Sequence, residues 1–90
     1  MALAAGWCPV CSVTGRLLFL KALHGGQVFI GCNMCEAGWV LPAPVTNWDN
    51  SIIDYAPKGF RAATQAEVSA AGQDMRIVET VSDSEMDLFK

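Results

Sequence analysis

Four cysteines, arranged as two C-x-x-C pairs, are the residues of this 90-residue chain whose types and spacing predict chemistry most clearly. The first pair is Cys8 and Cys11, and the second pair is Cys32 and Cys35. Two residues between paired cysteines let the backbone turn so that both sulfurs face one ion, which for zinc lies about 2.3 Å from each sulfur. The pattern therefore predicts a tetrahedral zinc site with four thiolate ligands.

The two pairs and the stretch between them resemble the zinc-ribbon group of proteins over roughly residues 7–41. Ser12 and Glu36 stand where members of this group commonly have glycine after the second cysteine of each pair. The resemblance implies a zinc ion held between two turns and a three-stranded antiparallel sheet behind them. Trp7, directly before the first pair, is expected to pack over the site and to shield the sulfurs from water.

Three other uses of the cysteines stay open. Disulfides need an oxidising compartment, and residues 1–6 have no basic start and too short an apolar run for a signal peptide. A thioredoxin-like redox site would place one pair at the start of a helix that follows a strand. An iron–sulfur cluster also uses four thiolates. We favour zinc, because two pairs flank a predicted hairpin, and we expect a cytoplasmic protein.

The predicted metal site is structural. A zinc ion closed in by four cysteines keeps no open position for water or substrate, whereas catalytic zinc does. No Ser/His/Asp grouping and no glycine-rich phosphate loop before a helix is found in the sequence. His24 is the only histidine, and it lies in a predicted turn far from the cysteine pairs. We therefore expect a protein that is not an enzyme.

A β-hairpin is predicted to bring the two cysteine pairs together. Its strands are Arg16–Leu23 and Gln27–Ile30, and the turn between them carries Gly25 and Gly26, which permit the positive φ angles of tight turns. A third strand is predicted at residues 38–41, before prolines that cannot donate to a sheet. The first strand is apolar on both faces, so the C-terminal half or a partner must cover what the ribbon leaves exposed.

The predicted fold class is small α+β, with a zinc ribbon at residues 1–45 and a C-terminal extension at 46–90 that packs on it. The segment Thr64–Glu67 has the S/T-x-x-E pattern of a capping box and predicts a short helix. Residues 75–81 alternate well enough for a further strand, and the acidic tail 82–90 is expected to be flexible.

Composition and charge favour a protein partner. The chain is 52% hydrophobic with a net charge of −3, and zinc bound by four thiolates would lower that charge to about −5. An acidic protein suits a basic partner, because opposite charges steer the encounter. The candidate partner contacts are aromatic or apolar side chains: Trp39, Trp48, Tyr55, Leu88 and Phe89.

The leading hypothesis is an adaptor, a regulatory protein or an immunity or antitoxin-like protein. The alternative is a nucleic-acid-binding or transcription-associated ribbon, although six scattered basic residues form no stripe along the sequence. A third interpretation is a thiol redox or metal-responsive protein. Polar residues and glycines interrupt the longest apolar region, Leu17–Leu41, so no membrane span is expected. A homo-oligomer is compatible with all three hypotheses.

Overall fold

The computed structural model describes residues 2–8, 15–35, 37–40, 50–51, 56–82, 84 and 86. Within these ranges the chain forms seven strands of one antiparallel sheet, one short α-helix and one 3₁₀ turn. The strands are β1 (Ala2–Trp7), β2 (Arg16–Ala22), β3 (Val28–Cys32), β4 (Ala37–Val40), β5 (Asn50–Ser51), β6 (Phe60–Ala62) and β7 (Glu79–Val81). The helix α1 (Gln65–Ala70) and the 3₁₀ turn (Asp74–Arg76) lie between β6 and β7.

Strand β2 is the centre of the sheet, whose order is β5-β4-β3-β2-β1-β7. One edge of β2 pairs with β3 from Leu17 to Lys21. The other edge is shared, because β1 pairs with its first half and β6 pairs with its second half. A bulge in β1 shifts the register between Ala4 and Gly6, and Gly6 adopts a φ of 118° there. Extra residues of this kind bend a strand and increase its twist.

The predicted fold class is wrong. A three-stranded ribbon with a C-terminal extension packed on it was expected, but β2, β3 and β4 are the middle of a larger sheet to which β1, β6 and β7 also belong. No strand is predicted for residues 2–7, because small residues such as Ala2 and Ala4 lack the β-branched and aromatic character that marks strands. Pairing with β2 and β7 on its two edges makes this segment extended.

Two cores lie on the two faces of the sheet. The cysteine-side core contains Leu3, Cys8, Leu17, Phe19, Ile30, Cys32, Ala37, Trp39, Ala63 and Val68. The opposite core contains Ala2, Ala4, Leu18, Leu20, Ala22, Phe29 and Ala56. Residues of the C-terminal half cover both faces, with Val68 of α1 fully buried on one side and Phe60 packed on the other. Burying a side chain such as Val68 stabilises the fold by about 1.5–3 kcal/mol.

The helix α1 begins with the predicted capping box. The hydroxyl of Thr64 accepts a hydrogen bond from the backbone N–H of Glu67 at 3.2 Å, and the N–H of Thr64 donates to the Glu67 carboxylate at 2.9 Å. The same carboxylate accepts two bonds from Arg61, at 2.8 and 2.6 Å, and lies 2.6 Å from the ammonium of Lys21. Glu67 therefore ties α1 to both β6 and β2, and Gly72, with a φ of 72°, follows the helix end.

The rest of the C-terminal half differs from the expected pattern. Residues 74–76 form the 3₁₀ turn, so the strand predicted at 75–81 is limited to Glu79–Val81, which pairs with β1. The predicted boundary at residue 45 and most of the tail 82–90 lie outside the described residues. Among the described residues, no helix has the length and hydrophobicity needed to cross a membrane.

Glu67 should give the fold a measurable pH dependence. Hydrogen bonds from Arg61, then from Lys21 and from the Thr64 backbone, hold the pKa of Glu67 far below its usual value near 4.5. The folded protein therefore keeps this carboxylate ionised while the unfolded chain takes up a proton. The resulting stabilisation is fully present above pH 4.5 and is lost as the pH falls toward the folded-state pKa.

We predict that Glu67→Gln flattens this acid dependence. Free energies of unfolding from urea titrations at several pH values between neutrality and acid should fall more steeply for the wild type than for the variant below about pH 4.5. Acid also releases a thiolate-bound metal, but it does so in both proteins, so the difference between the two curves isolates Glu67. Parallel curves would contradict the prediction.

Candidate metal centre

The cysteines that the structure describes lie at one end of the sheet. Cys8 follows the last residue of β1, Cys32 is the last residue of β3, and Cys35 lies in the turn that leads to β4. The register explains their proximity, because the start of β2 pairs with the ends of both β1 and β3. The connections after β1 and β3 are thereby placed side by side.

The three sulfur atoms are spaced as ligands of one ion. All of them lie within 4.8 Å of one another, and the Sγ atoms of Cys8 and Cys35 are 3.7 Å apart. A tetrahedron with sulfurs about 2.3 Å from its centre has an edge of about 3.8 Å, whereas a disulfide bond is about 2.05 Å long. None of the three cysteines forms a disulfide among the described residues. Cys8, Cys32 and Cys35 could therefore hold a metal ion.

Backbone groups of the second turn point at Cys32. The N–H groups of Met34 and Cys35 lie 3.4 and 3.5 Å from its Sγ atom, within the range of hydrogen bonds to sulfur. Two residues between the cysteines allow this arrangement, since the turn folds its own N–H groups back on the first sulfur. Donors of this kind stabilise negative charge on the atom that accepts them, as a metal-bound thiolate requires.

Asn33 fastens the second turn to the sheet. Its side-chain oxygen accepts a hydrogen bond from the backbone N–H of Arg16 at 3.0 Å, and its own N–H donates to the Arg16 carbonyl at 3.1 Å. The side chain is 2% exposed. On the neighbouring side, the N–H of Cys8 donates to the carbonyl of Gly15 at 2.8 Å. The start of β2 thus positions both turns. No local pattern in the sequence marks Asn33, because its burial depends on contacts distant in the chain.

Burial differs among the three cysteines. Cys8 and Cys32 are fully buried in the cysteine-side core, whereas Cys35 is partly exposed. Trp7, which was expected to shield the sulfurs, is 52% exposed. The guanidinium carbon of Arg16 lies 4.3 Å from the centre of its ring. Arg16 also forms an ion pair with Glu79 of β7.

Most of the other predicted site residues lie outside the described ranges, and Trp39 is buried. Trp39 is 2% exposed in the cysteine-side core, and its indole N–H has no hydrogen-bond partner among the described residues. The remaining candidates lie outside the described ranges: Cys11, Trp48, Tyr55, Leu88 and Phe89. His24 is exposed in the turn between β2 and β3, as the sequence predicts.

Comparisons with known proteins leave this site to be interpreted from its own geometry. No protein-family model, no curated protein and no solved structure matches the chain. What the site can do chemically therefore follows from three clustered sulfurs and from Cys11, which is three residues beyond Cys8 in the sequence. This donor set suits soft metal ions with tetrahedral preference.

We predict that Asn33→Ala weakens metal binding and the fold together. The variant removes the side-chain acceptor of the partly buried Arg16 N–H, which should lower the free energy of unfolding by about 0.5–1.5 kcal/mol. The second turn would also lose its anchor, so the affinity for zinc should fall. Urea unfolding and competition with a chelator measure the two effects.

Gln27→Ala is a matched control, since Gln27 is an exposed amide in the turn at the other end of β2. It should leave the zinc affinity unchanged. An Asn33→Ala variant that competes with the chelator as well as the wild type does would show that the turn needs no side-chain anchor.

Proposed function

We propose that this chain is a non-catalytic protein stabilised by one structural zinc ion and that it binds a protein partner. Cys8, Cys11, Cys32 and Cys35 would supply the four ligands, in the cysteine pattern of the zinc-ribbon group. The observation that carries the proposal is the 3.7 Å separation of the Cys8 and Cys35 sulfurs, which matches the edge of a single-ion tetrahedron.

Zinc is favoured over the other uses of four cysteines. An iron–sulfur cluster distributes its thiolates over several iron atoms, whereas sulfurs within 4.8 Å of one another suit a single ion. Calcium and magnesium prefer oxygen ligands. A thiol site also needs a reducing environment to stay free of disulfides, so a cytoplasmic location belongs to the same proposal.

A structural role follows from the ligand set and from the size of the chain. Four thiolates leave no coordination position for substrate, and two of the described ligands are fully buried. Ninety residues bury a smaller fraction of their surface than larger domains do. Structural zinc contributes an apparent binding free energy of about 10–16 kcal/mol near neutral pH in small modules, and this energy goes into folding.

Removal of one ligand tests the metal site. Native mass spectrometry of the purified protein should find one zinc ion per chain, and Cys8→Ser or Cys35→Ser should lose it because one corner of the tetrahedron is missing. The thermal midpoint should fall, with unfolding of at least residues 7–41.

Met34→Ser is the matched control, because it introduces the same residue next to Cys35 at an exposed position. This variant should keep its zinc. The metal proposal fails if the wild type contains no metal, or if Cys35→Ser retains both the zinc stoichiometry and the thermal midpoint of the wild type.

Surface composition supports the protein partner. Several large apolar side chains are exposed among the described residues: Trp7, Leu23, Met34, Met75 and Val78. Two basic residues that would serve a nucleic-acid partner contact carboxylates instead, since Arg16 pairs with Glu79 and Lys21 pairs with Glu67. These pairings reduce the positive charge available for phosphates and favour a protein partner over a nucleic acid.

Two binding assays distinguish these partners. Affinity purification from the native host, followed by native mass spectrometry, should recover a complex of defined stoichiometry with another protein. Fluorescence anisotropy with single- and double-stranded oligonucleotides at low salt should show no salt-sensitive binding. The opposite pair of results would support the nucleic-acid alternative.

A further inference from the structure

We propose that Cys35 is a modification site of this centre: a peroxide oxidises its sulfur, Cys8 then forms a disulfide with it, and the metal is released. This inference rests on the proposed metal site. It assigns different roles to ligands that a purely structural site would leave equivalent.

Exposure selects Cys35 as the sulfur that is attacked. Cys8 and Cys32 are fully buried, whereas Cys35 is partly exposed in its turn. The adjacent Met34 is 56% exposed, so solvent reaches this side of the turn. Oxidation of cysteine follows thiolate character and accessibility, and metal-bound cysteines are deprotonated. A small oxidant therefore meets the Cys35 sulfur before the other two.

The separation of the sulfur atoms makes Cys8 the partner for the disulfide. Its Sγ atom lies 3.7 Å from that of Cys35, so a small movement brings the two within bonding distance. The sulfur of Cys32 accepts hydrogen bonds from two backbone N–H groups of its own turn. Those bonds lower the tendency of Cys32 to act as the nucleophile that closes the disulfide.

The chemistry is a two-electron oxidation with hydrogen peroxide as the oxidant. The Cys35 thiolate attacks one peroxide oxygen, the O–O bond breaks, hydroxide leaves, and Cys35 becomes a sulfenic acid. The Cys8 thiolate then attacks the Cys35 sulfur, the S–O bond breaks, and a second hydroxide leaves as the disulfide forms. Both hydroxides are protonated to water. With two thiolates consumed, the site loses half of its ligands and its affinity for the ion.

The position of this disulfide has a structural consequence. It joins the connection after β1 to the turn after β3, and β2 lies between these two strands in the sheet. The bond would therefore keep this end of the sheet closed after the metal has left. A disulfide within one C-x-x-C pair would not link the two turns.

The test begins with zinc-loaded full-length protein, whose metal content is measured first by native mass spectrometry. Hydrogen peroxide is then added in stoichiometric amount, and a chromogenic chelator follows zinc release. Trypsin digestion without reductant separates the pairs, because Arg16, Lys21 and Lys58 flank them. Fragment ions on either side of the bond between Cys8 and Pro9 distinguish Cys8 from Cys11. We expect one zinc ion released per chain and a disulfide between Cys8 and Cys35.

A histidine variant tests the role of Cys35. Cys35→His retains a zinc ligand but removes the partly exposed thiolate, so it should lose peroxide-driven zinc release while keeping its metal. Met34→Leu removes the neighbouring thioether and should behave as the wild type does. Mapping of the wild-type disulfide decides the question even if a histidine variant fails to fold.

The metal content and the disulfide map together distinguish failure of the proposed metal site from failure of the proposed oxidation. Absence of metal before the oxidant is added contradicts the proposed function. Metal that is present but retained under peroxide contradicts this inference and leaves the metal site standing. Metal release with a disulfide within one pair, or with one that involves Cys11 or Cys32, does the same. Release with the Cys8–Cys35 bond supports both.

Discussion

The convergence of cysteine sulfurs at one end of the sheet is the constraint on which the rest of the structure depends. Three sulfur atoms within 4.8 Å, two of them buried, are incompatible with three uncompensated thiolates, because like charges repel strongly where water is excluded. A cation removes this repulsion and converts it into attraction. The backbone N–H groups of Met34 and Cys35 also favour negative charge on the Cys32 sulfur.

Strand β2 connects the cysteine cluster to the rest of the molecule. Its first residue, Arg16, contacts the Asn33 side chain, the Trp7 ring and Glu79. These contacts join the end of the sheet that carries the cysteines to both β1 and β7. Near its other end, Lys21 contacts Glu67 of α1. Both faces of β2 carry cores, and both of its edges are paired. A disturbance of the turns that hold the cysteines therefore reaches the centre of the sheet within one strand.

We propose a role in binding and not in turnover for this chain. A site closed by four thiolates, as proposed, would offer no coordination position to a substrate and would contribute rigidity. Large apolar side chains such as Trp7, Met34 and Met75 are exposed and could contact a protein partner. Under the proposed oxidation, the partial exposure of Cys35 would give the metal centre a regulatory use in addition to the proposed structural one.

Local sequence patterns determined the candidate metal site, one turn and the start of the helix. The cysteine spacing indicates the metal site, the glycines at 25 and 26 mark the turn between β2 and β3, and Thr64 with Glu67 specifies the start of α1. Each of these signals acts over a few residues, where bond geometry and neighbouring donors decide the outcome. Only the tertiary structure decided that β1, β6 and β7 join the sheet, that Asn33 is buried and that Trp7 is exposed. Strand pairing and burial depend on which edges and faces remain available after distant segments have met, and that information is not contained in the spacing of any one segment.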